Sequence, residues 1–368
     1  MIDLKQYGYI ETEKDKAEQE KTEQEKTEQA ESGLQPACIT AVHRDRYELV
    51  STHGTQHGKL KTSTYYGREP HPFPTVGDFV LIKRVDGGDC QIVKTLPRKS
   101  YFSRLDPDPG GFREQAIAAN FDTVFIMQSL NQNFNLRRLE RYLTLTWQSG
   151  ATPVIILTKA DLADDPERYK NEAVSVAAGV DIIVTSAKTG AGLDKLDKYL
   201  LPGKTCVYLG SSGVGKSSLL NTLMGENVMD VKEIREDDSM GRHTTTHRQM
   251  FTLLCGANII DTPGMRELGI WDQSDGVQAA VSDVYADIEE HLGTCKFSDC
   301  QHENEPGCAI RTAIERGEID QGRWDGYQKL QREALYAENK LKALRAKSER
   351  NQDIAAWSRR FKTKKEIW

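Results

Sequence analysis

A multidomain α/β chain is predicted by three observations. Five short strand-like runs, separated by His/Gly and Pro/Gly breaks, fill much of residues 36–104. From about Phe121 to Leu268, apolar strands alternate with helical patterns, and loops rich in Gly, Ser and Asp follow the strands. Beyond Trp271 the pattern is helical and is interrupted by a Cys/His cluster. A small barrel, an open α/β sheet and a helical metal-binding module account for these features.

The elements follow in chain order. Residues 1–35 read as a disordered acidic tail: positions 1–32 carry ten acids and five bases, and two copies of Glu-Gln-Glu-Lys-Thr occupy 18–27. A five-residue period matches neither a heptad nor an amphipathic helical face, and without an apolar stripe the segment buries no core. Residues 36–105 form the barrel domain, with strands expected over 38–42, 47–51, 59–62, 78–83 and 90–96. Five short strands in so little chain fit an OB-type β-barrel.

Residues 110–275 form the α/β domain. Strands are expected over 123–127, 154–157, 182–185, 206–209 and 258–260, and helices over 136–147 and 216–224. Gly210-Ser211-Ser212-Gly213-Val214-Gly215-Lys216-Ser217 matches G-x-x-x-x-G-K-S between a strand and a helix. Its glycines let backbone N–H groups point at phosphates; Lys216 is expected on the β- and γ-phosphates and Ser217 on Mg²⁺. Thr158-Lys159-Ala160-Asp161 ends an earlier strand. The Asp161 carboxylate suits the paired N–H donors of guanine, which adenine lacks, and Lys159 suits the base plane. Ser186-Ala187-Lys188 ends another strand and supplies a backbone N–H for the guanine oxygen. Asp261-Thr262-Pro263-Gly264 follows the phosphate loop; Asp261 would hold Mg²⁺, and the Gly264 amide would sense the γ-phosphate. Each motif sits at a strand's carboxyl end, where open α/β sheets bind ligands. In an ordinary GTPase the phosphate loop comes first and the base readers last. Here the base readers precede it, so the domain is a circularly permuted P-loop GTPase.

Between the phosphate loop and Asp261 lies Gly241-Arg242-His243-Thr244-Thr245-Thr246. A switch hydroxyl that completes the Mg²⁺ shell is expected there, with Thr245 the first choice and Thr246 the next. The residue after Gly264 is Met265, so the usual water-positioning Gln is missing. Slow intrinsic hydrolysis is expected, with His243 the best in-chain substitute and a partner completing the site.

Cys295-x4-Cys300-x-His302-x5-Cys308 places three thiols and an imidazole within 14 residues. Four such ligands suit one tetrahedral Zn²⁺ with no open position, which is a structural rather than a catalytic site. The module spans 276–345 and ends in a long charged helix over 321–347, with Leu330, Leu335, Leu341 and Leu344 as packing positions. Cys38, Cys90, Cys206 and Cys255 read as core residues. The basic end, 346–368, completes the chain; from Leu341 to Trp368 there are nine Lys/Arg and three Asp/Glu. No stretch is long and apolar enough to span a bilayer, and Met1 to Ile10 lacks a signal-peptide core, so a cytoplasmic protein with no membrane partner is expected.

Barrel, rotated GTPase motifs and the C-x4-C-x-H-x5-C spacing together resemble one family, the circularly permuted, small-ribosomal-subunit-dependent GTPases (RsgA, or YjeQ), over roughly residues 36–345. The resemblance implies a monomer whose barrel and zinc module grip the 30S subunit, chiefly through 16S rRNA. It also implies GTP hydrolysis to GDP stimulated by the subunit during its late maturation. It supports Gly210 to Ser218 and Thr158 to Asp161 as GTP contacts and the Cys3His set as zinc ligands. Competing readings are a GTP-dependent switch for a protein partner without an RNA role, a small-molecule phosphotransferase, and a non-catalytic zinc-binding RNA module.

Overall fold

The structure, a computed structural model, describes residues 2–10, 34–43, 46–66, 72–105, 114–229, 248–261, 281 and 284–335. The chain forms two compact units. One comprises the described residues of Met1–Arg104 and Gln115–Leu268, the other those of Leu105–Glu114 and Gly269–Trp368.

The barrel consists of β1 (Leu34–Val42), β2 (Tyr47–Ser51), β3 (Gly54–Leu60), β4 (Phe79–Lys83) and β5 (Cys90–Thr95). The strands pair in the order β1-β2-β3-β5-β4, and β4 returns to β1, so the five-stranded sheet closes on itself. Alternate residues fill it: Ala37, Ile39, Leu49, Val80, Ile82 and Ile92 are fully buried in one cluster. The third strand differs from the expected 59–62. Gly58 looked like a break, yet it lies inside β3 because a Cβ there would come within 2.7 Å of the Leu49 side chain and 3.1 Å of Ile92. A crowded interior, not a turn, requires the glycine.

The second half of this unit carries β8 (Thr123–Ser129), β9 (Thr152–Thr158), β10 (Asp181–Val184), β11 (Thr205–Gly210), β12 (Arg248–Thr252) and β13 (Asn258–Asp261), preceded by a separate two-stranded ribbon of β6 (Tyr101–Leu105) and β7 (Glu114–Ala119). The order across the sheet is β10-β9-β8-β11-β13-β12. All neighbours are parallel except β12, which runs antiparallel to β13. The chain therefore builds one flank first, β8 to β10, then starts again at the centre with β11 and builds the other. The direction of progression reverses between β8 and β11, and such a reversal opens a ligand crevice at the strands' carboxyl ends. Asp122 ties the opposite ends of these two strands, accepting from the Thr205 N–H at 3.0 Å while its own N–H donates to the Thr205 carbonyl at 2.7 Å.

Barrel and nucleotide domain share one sheet. Ala41 and Val42 of β1 pair with Gln249 and Arg248 of β12. The Thr75 hydroxyl donates to the Ile117 carbonyl at 2.9 Å, and the Asn120 amide donates to the Gly77 carbonyl at 2.9 Å. Buried Asp78 takes both arms of Arg98 at 2.7 Å each. The expectation of a disordered 1–35 segment does not hold at its start. Leu4–Tyr7 forms a 3-10 turn capped by Asp3. The Ile2 N–H donates to Thr52 of the barrel, and the Asn258 amide of β13 donates to the Gln6 carbonyl. Buried Leu4 and a Tyr9–Phe79 ring contact provide the apolar share that composition obscured. The repeats lie outside the described residues.

In the second unit, the helix Ala309–Glu315 and a helix over 321–335 carry the core. Trp324, Tyr327, Leu330 and Ala334 form the buried stripe, whereas Leu335 is 51% exposed. Leu335 therefore does not pack as expected: it lies one residue past Ala334, about 100° round the helix from the stripe. Leu341, Leu344 and the basic end lie outside the described residues. Among the described residues, no helix is long and apolar enough to cross a membrane.

Candidate nucleotide site and metal centre

The phosphate loop leaves β11 at Gly210 and enters the helix Lys216–Met224. Gly213 and Gly215 have φ of 73° and 107°, which a side chain would strain, and this conformation turns successive N–H groups inward as an anion-binding nest. The Lys216 ammonium folds back over the loop, donating to the carbonyls of Gly210 at 2.8 Å and Ser211 at 2.9 Å. Ser212, Ser217 and Ser218 are partly exposed along the loop and the first helical turn, and Val214 is buried beneath them.

Thr158 ends β9 where an Asn is commoner, and the structure shows what the hydroxyl does. It donates to the Val214 carbonyl at 2.6 Å, with the Gln128 carbonyl at 3.3 Å. The base-reading loop is thus tied directly to the phosphate loop. Lys159 adopts a left-handed φ of 60°, and burial pushes its ammonium below the ordinary lysine value while Asp161 draws it back up. Such a non-glycine conformation persists only where neighbours enforce it. Here the Ala160 N–H donates to the Thr185 carbonyl at 3.1 Å. The Asp161 carboxylate is exposed, and it accepts from the Ser186 hydroxyl at 2.6 Å. Ser186, Ala187 and Lys188 follow β10; the Ala187 carbonyl accepts from Thr222 on the phosphate-loop helix at 3.4 Å, and Lys188 is exposed. Parallel pairing of β10 with β9 and of β9 with β8 brings these loops to one edge of the sheet.

Asp261 is the last residue of β13 and is buried at 3% exposure. Val207↔Ile260 pairing sets β13 beside β11, so Asp261 enters the same edge. His243, Thr245, Thr246, Gly264 and Met265 lie outside the described residues. Sequence reading missed Asn133, Arg138 and Gln128. The Asn133 amide donates to the Ser211 hydroxyl at 3.0 Å, and Arg138 holds Asn133 and Gln128 at once. An Asn-rich stretch immediately after a strand was the available signal.

In the second unit, the ligand atoms of Cys295, Cys300, His302 and Cys308 lie within 4.8 Å of one another, so the expected set does converge. Cys295 and Cys308 sulfurs are each 3.5 Å from His302 Nδ1, which marks that nitrogen as the one facing the centre. His302 takes a left-handed φ of 62°, and its ring meets Trp324 edge-on at 5.5 Å. Burial and the neighbouring thiols push the Cys300 thiol up to about 11, partly offset by the His302 N–H. Burial also raises Cys295, but N–H donation from Ala309 and the other thiols bring it below its ordinary value. Three facing thiols cannot all ionise alone; a bound dication removes that penalty and deprotonates them. The donor set fits zinc. Of the remaining cysteines, Cys38, Cys90 and Cys206 are buried as expected, but Cys255 is exposed, because it occupies the turn between β12 and β13.

Closed barrel, a sheet restarted at its phosphate-loop strand and a Cys3His cluster define a circularly permuted GTPase with an OB-type domain. The family model described as RsgA GTPase matches residues 95–271. Over 313 residues the chain is 46% identical to small ribosomal subunit biogenesis GTPase RsgA 1 of Listeria innocua, covering 85% of this chain and 87% of that protein. It is 44% identical over 292 residues to small ribosomal subunit biogenesis GTPase RsgA of Methanosarcina acetivorans, covering 78% of each. The chain belongs to the RsgA GTPase family. The crystal structure of YjeQ from Thermotoga maritima superposes with a TM-score of 0.57 at 26% identity, covering 82% of this chain and 99% of that one. The structure of YloQ, described as a circularly permuted GTPase, gives 0.53 at 23% identity, covering 82% and 95%, and speaks to the fold alone.

Proposed function

We propose that this chain is a GTPase of small ribosomal subunit biogenesis: it binds the subunit through 16S rRNA and hydrolyses GTP to GDP and phosphate in late maturation. The observation that carries the nucleotide part is the joining of three loops separate in sequence, through Thr158 to Val214 and Ser186 to Asp161. The ribosomal part is supported by the names of relatives such as those from Listeria innocua and Methanosarcina acetivorans.

In this reading Asp161 accepts from the guanine N–H pair, Lys159 lies along the base, and the Ser186 to Lys188 backbone donates to the guanine oxygen. The nest from Gly210 to Gly215 receives the phosphates, and Lys216 donates to the β- and γ-oxygens. Ser217, Asp261 and Thr245 would hold Mg²⁺, which would supply neutralisation of the phosphate charge. Gly264 senses the γ-phosphate. His243 is the in-chain candidate to orient the attacking water, with rRNA or subunit contact completing the site. Zinc at Cys295, Cys300, His302 and Cys308 is structural.

Phosphate release from GTP and from ATP, with and without purified 30S subunits, tests this. Subunit-stimulated release from GTP alone is expected, with subunit binding falling steeply as salt rises. Equal turnover of ATP, or no stimulation by the subunit, contradicts it.

A further inference from the structure

The cluster that sequence reading passed over stands directly behind the phosphate loop. Arg138 sits in the first turn of the helix Leu136–Gln148, its N–H bound by the capping Asn135 side chain at 2.9 Å. From there the guanidinium reaches three oxygens: Asn133 Oδ1 at 3.1 Å, Gln128 Oε1 at 2.9 Å and the Asn133 carbonyl. Holding Oδ1 fixes which way the Asn133 amide faces. Its Nδ2 is thereby aimed at Ser211 Oγ, 3.0 Å away, on the second residue of the loop. Gln128 is fully buried, and its carbonyl lies 3.3 Å from the Thr158 hydroxyl that holds Val214. One guanidinium therefore organises the loop's anchor at Ser211 through Asn133 and also holds the side chain of Gln128.

These anchors matter because of what Lys216 does. Its ammonium donates to the Gly210 and Ser211 carbonyls, and bound phosphate would compete with those carbonyls for its three N–H donors. A loop stabilised only by that ammonium would lose its shape as phosphate drew those donors off. Asn133 grips Ser211 through the side chain and is independent of Lys216.

We infer that Asn133, aimed by Arg138, is a positioning residue that keeps the phosphate loop in its binding shape when nucleotide competes for the Lys216 ammonium. The inference rests on the guanine-nucleotide reading above. The hydrogen bond acts at one pair, so Asn133 and Ser211 must be energetically coupled in nucleotide binding.

Equilibrium binding of a fluorescent GDP analogue to the full chain tests this through Asn133→Ala, Ser211→Ala and the double variant, with thermal melting of each nucleotide-free protein alongside. Each single change is expected to weaken binding about fivefold, and the double change no more than either single. Melting temperatures of the nucleotide-free proteins should stay close to wild type. Asn133→Asp retains an oxygen able to accept from the Ser211 hydroxyl, so it should still melt like wild type but bind worse than Asn133→Ala, because it places a charge behind the phosphates. Wild-type binding with Asn133→Ala within twofold of it overturns the inference, as do effects of the two alanine changes that simply multiply. A wild-type chain that fails to bind guanine nucleotide overturns the reading beneath it.

Discussion

The nucleotide site and the Cys3His cluster reach preorganisation by different routes. The first is built from backbone. Its loops hang from the ends of fully buried strands, with Val124 to Met127, Val154 to Leu157 and Cys206 to Leu209 at 0% exposure, so the loop positions are set before any ligand arrives. The second is built from side chains. Three of its four ligands, Cys295, Cys300 and His302, are only partly buried on short loops, and a small aromatic group, Tyr285, Trp324 and Tyr327, stands beside them. A sheet can wait for its ligand; a loop cluster of facing thiols would depend on an ion to hold it. Structural zinc contributes on the order of 10 kcal/mol or more in small domains, enough to decide whether such a unit folds.

The largest expected effect breaks the comparison on the cluster side. Cys300→Ser, or removal of metal by a strong chelator, should eliminate the one bound zinc and open residues 284–335 to proteolysis. Guanine-nucleotide binding should persist. Unchanged proteolytic resistance together with absent zinc in the wild-type protein would remove the contrast.

Next in size is Lys216→Ala. Loss of the group that stabilises phosphate charge is expected to lower single-turnover GTP hydrolysis about 100-fold or more. Melting should barely change, since the strand ends and the Asn133 bond to Ser211 still hold the loop in place. A change in melting larger than the change in hydrolysis would mean that the side chain matters chiefly to the fold.

Ser186→Ala sharpens the picture within the nucleotide site. It removes the 2.6 Å donor to Asp161. A hydrogen bond to a carboxylate is worth about 1.5–3 kcal/mol, so GTP affinity should fall roughly tenfold by calorimetry, while affinity for a base-free triphosphate stays the same. Equal losses for both ligands would place the effect at the phosphates.

The smallest effect concerns the scaffold. Asp122 is pulled up by burial, but the Thr205 N–H, Lys99 and Lys204 bring its carboxyl below the ordinary 3.8. As pH falls, the unfolded chain takes the proton first. The stabilisation is therefore complete above 3.8 and drains away as pH drops through the lower folded value. Asp122→Asn should cost about 1–2 kcal/mol in urea unfolding at neutral pH, with the gap from wild type closing in strong acid. A gap independent of pH would contradict the role of the charge.

Much of this contrast was legible in the sequence because both sites are dense in short motifs. The phosphate loop, the Thr158 to Asp161 loop, Ser186 to Lys188, Asp261 and the four metal-ligand candidates all sit where local spacing places them. Local patterning also located most strands, since alternation and strand-end loops are nearest-neighbour properties. What escaped is long-range. Arg248 of β12 meets the barrel at Val42, more than 200 residues earlier in the chain, and Asn258 meets Gln6 across 252 residues. Asn133 and Ser211 are 78 residues apart. Gly58 and Leu335 failed for a related reason. A glycine in a crowded barrel resembles a turn, and a leucine beside a buried stripe resembles part of it, until neighbours on other strands and helices are known.

Loops from opposite flanks of the restarted sheet are proposed to surround one guanine nucleotide. Binding of GTP, ATP and XTP to wild type and to Asp161→Asn tests this most directly, because xanthine presents an acceptor where guanine presents a donor. The wild-type chain should prefer GTP over the other two by at least about 100-fold, and the variant should prefer XTP over GTP. An unchanged preference for GTP in the variant would contradict the account.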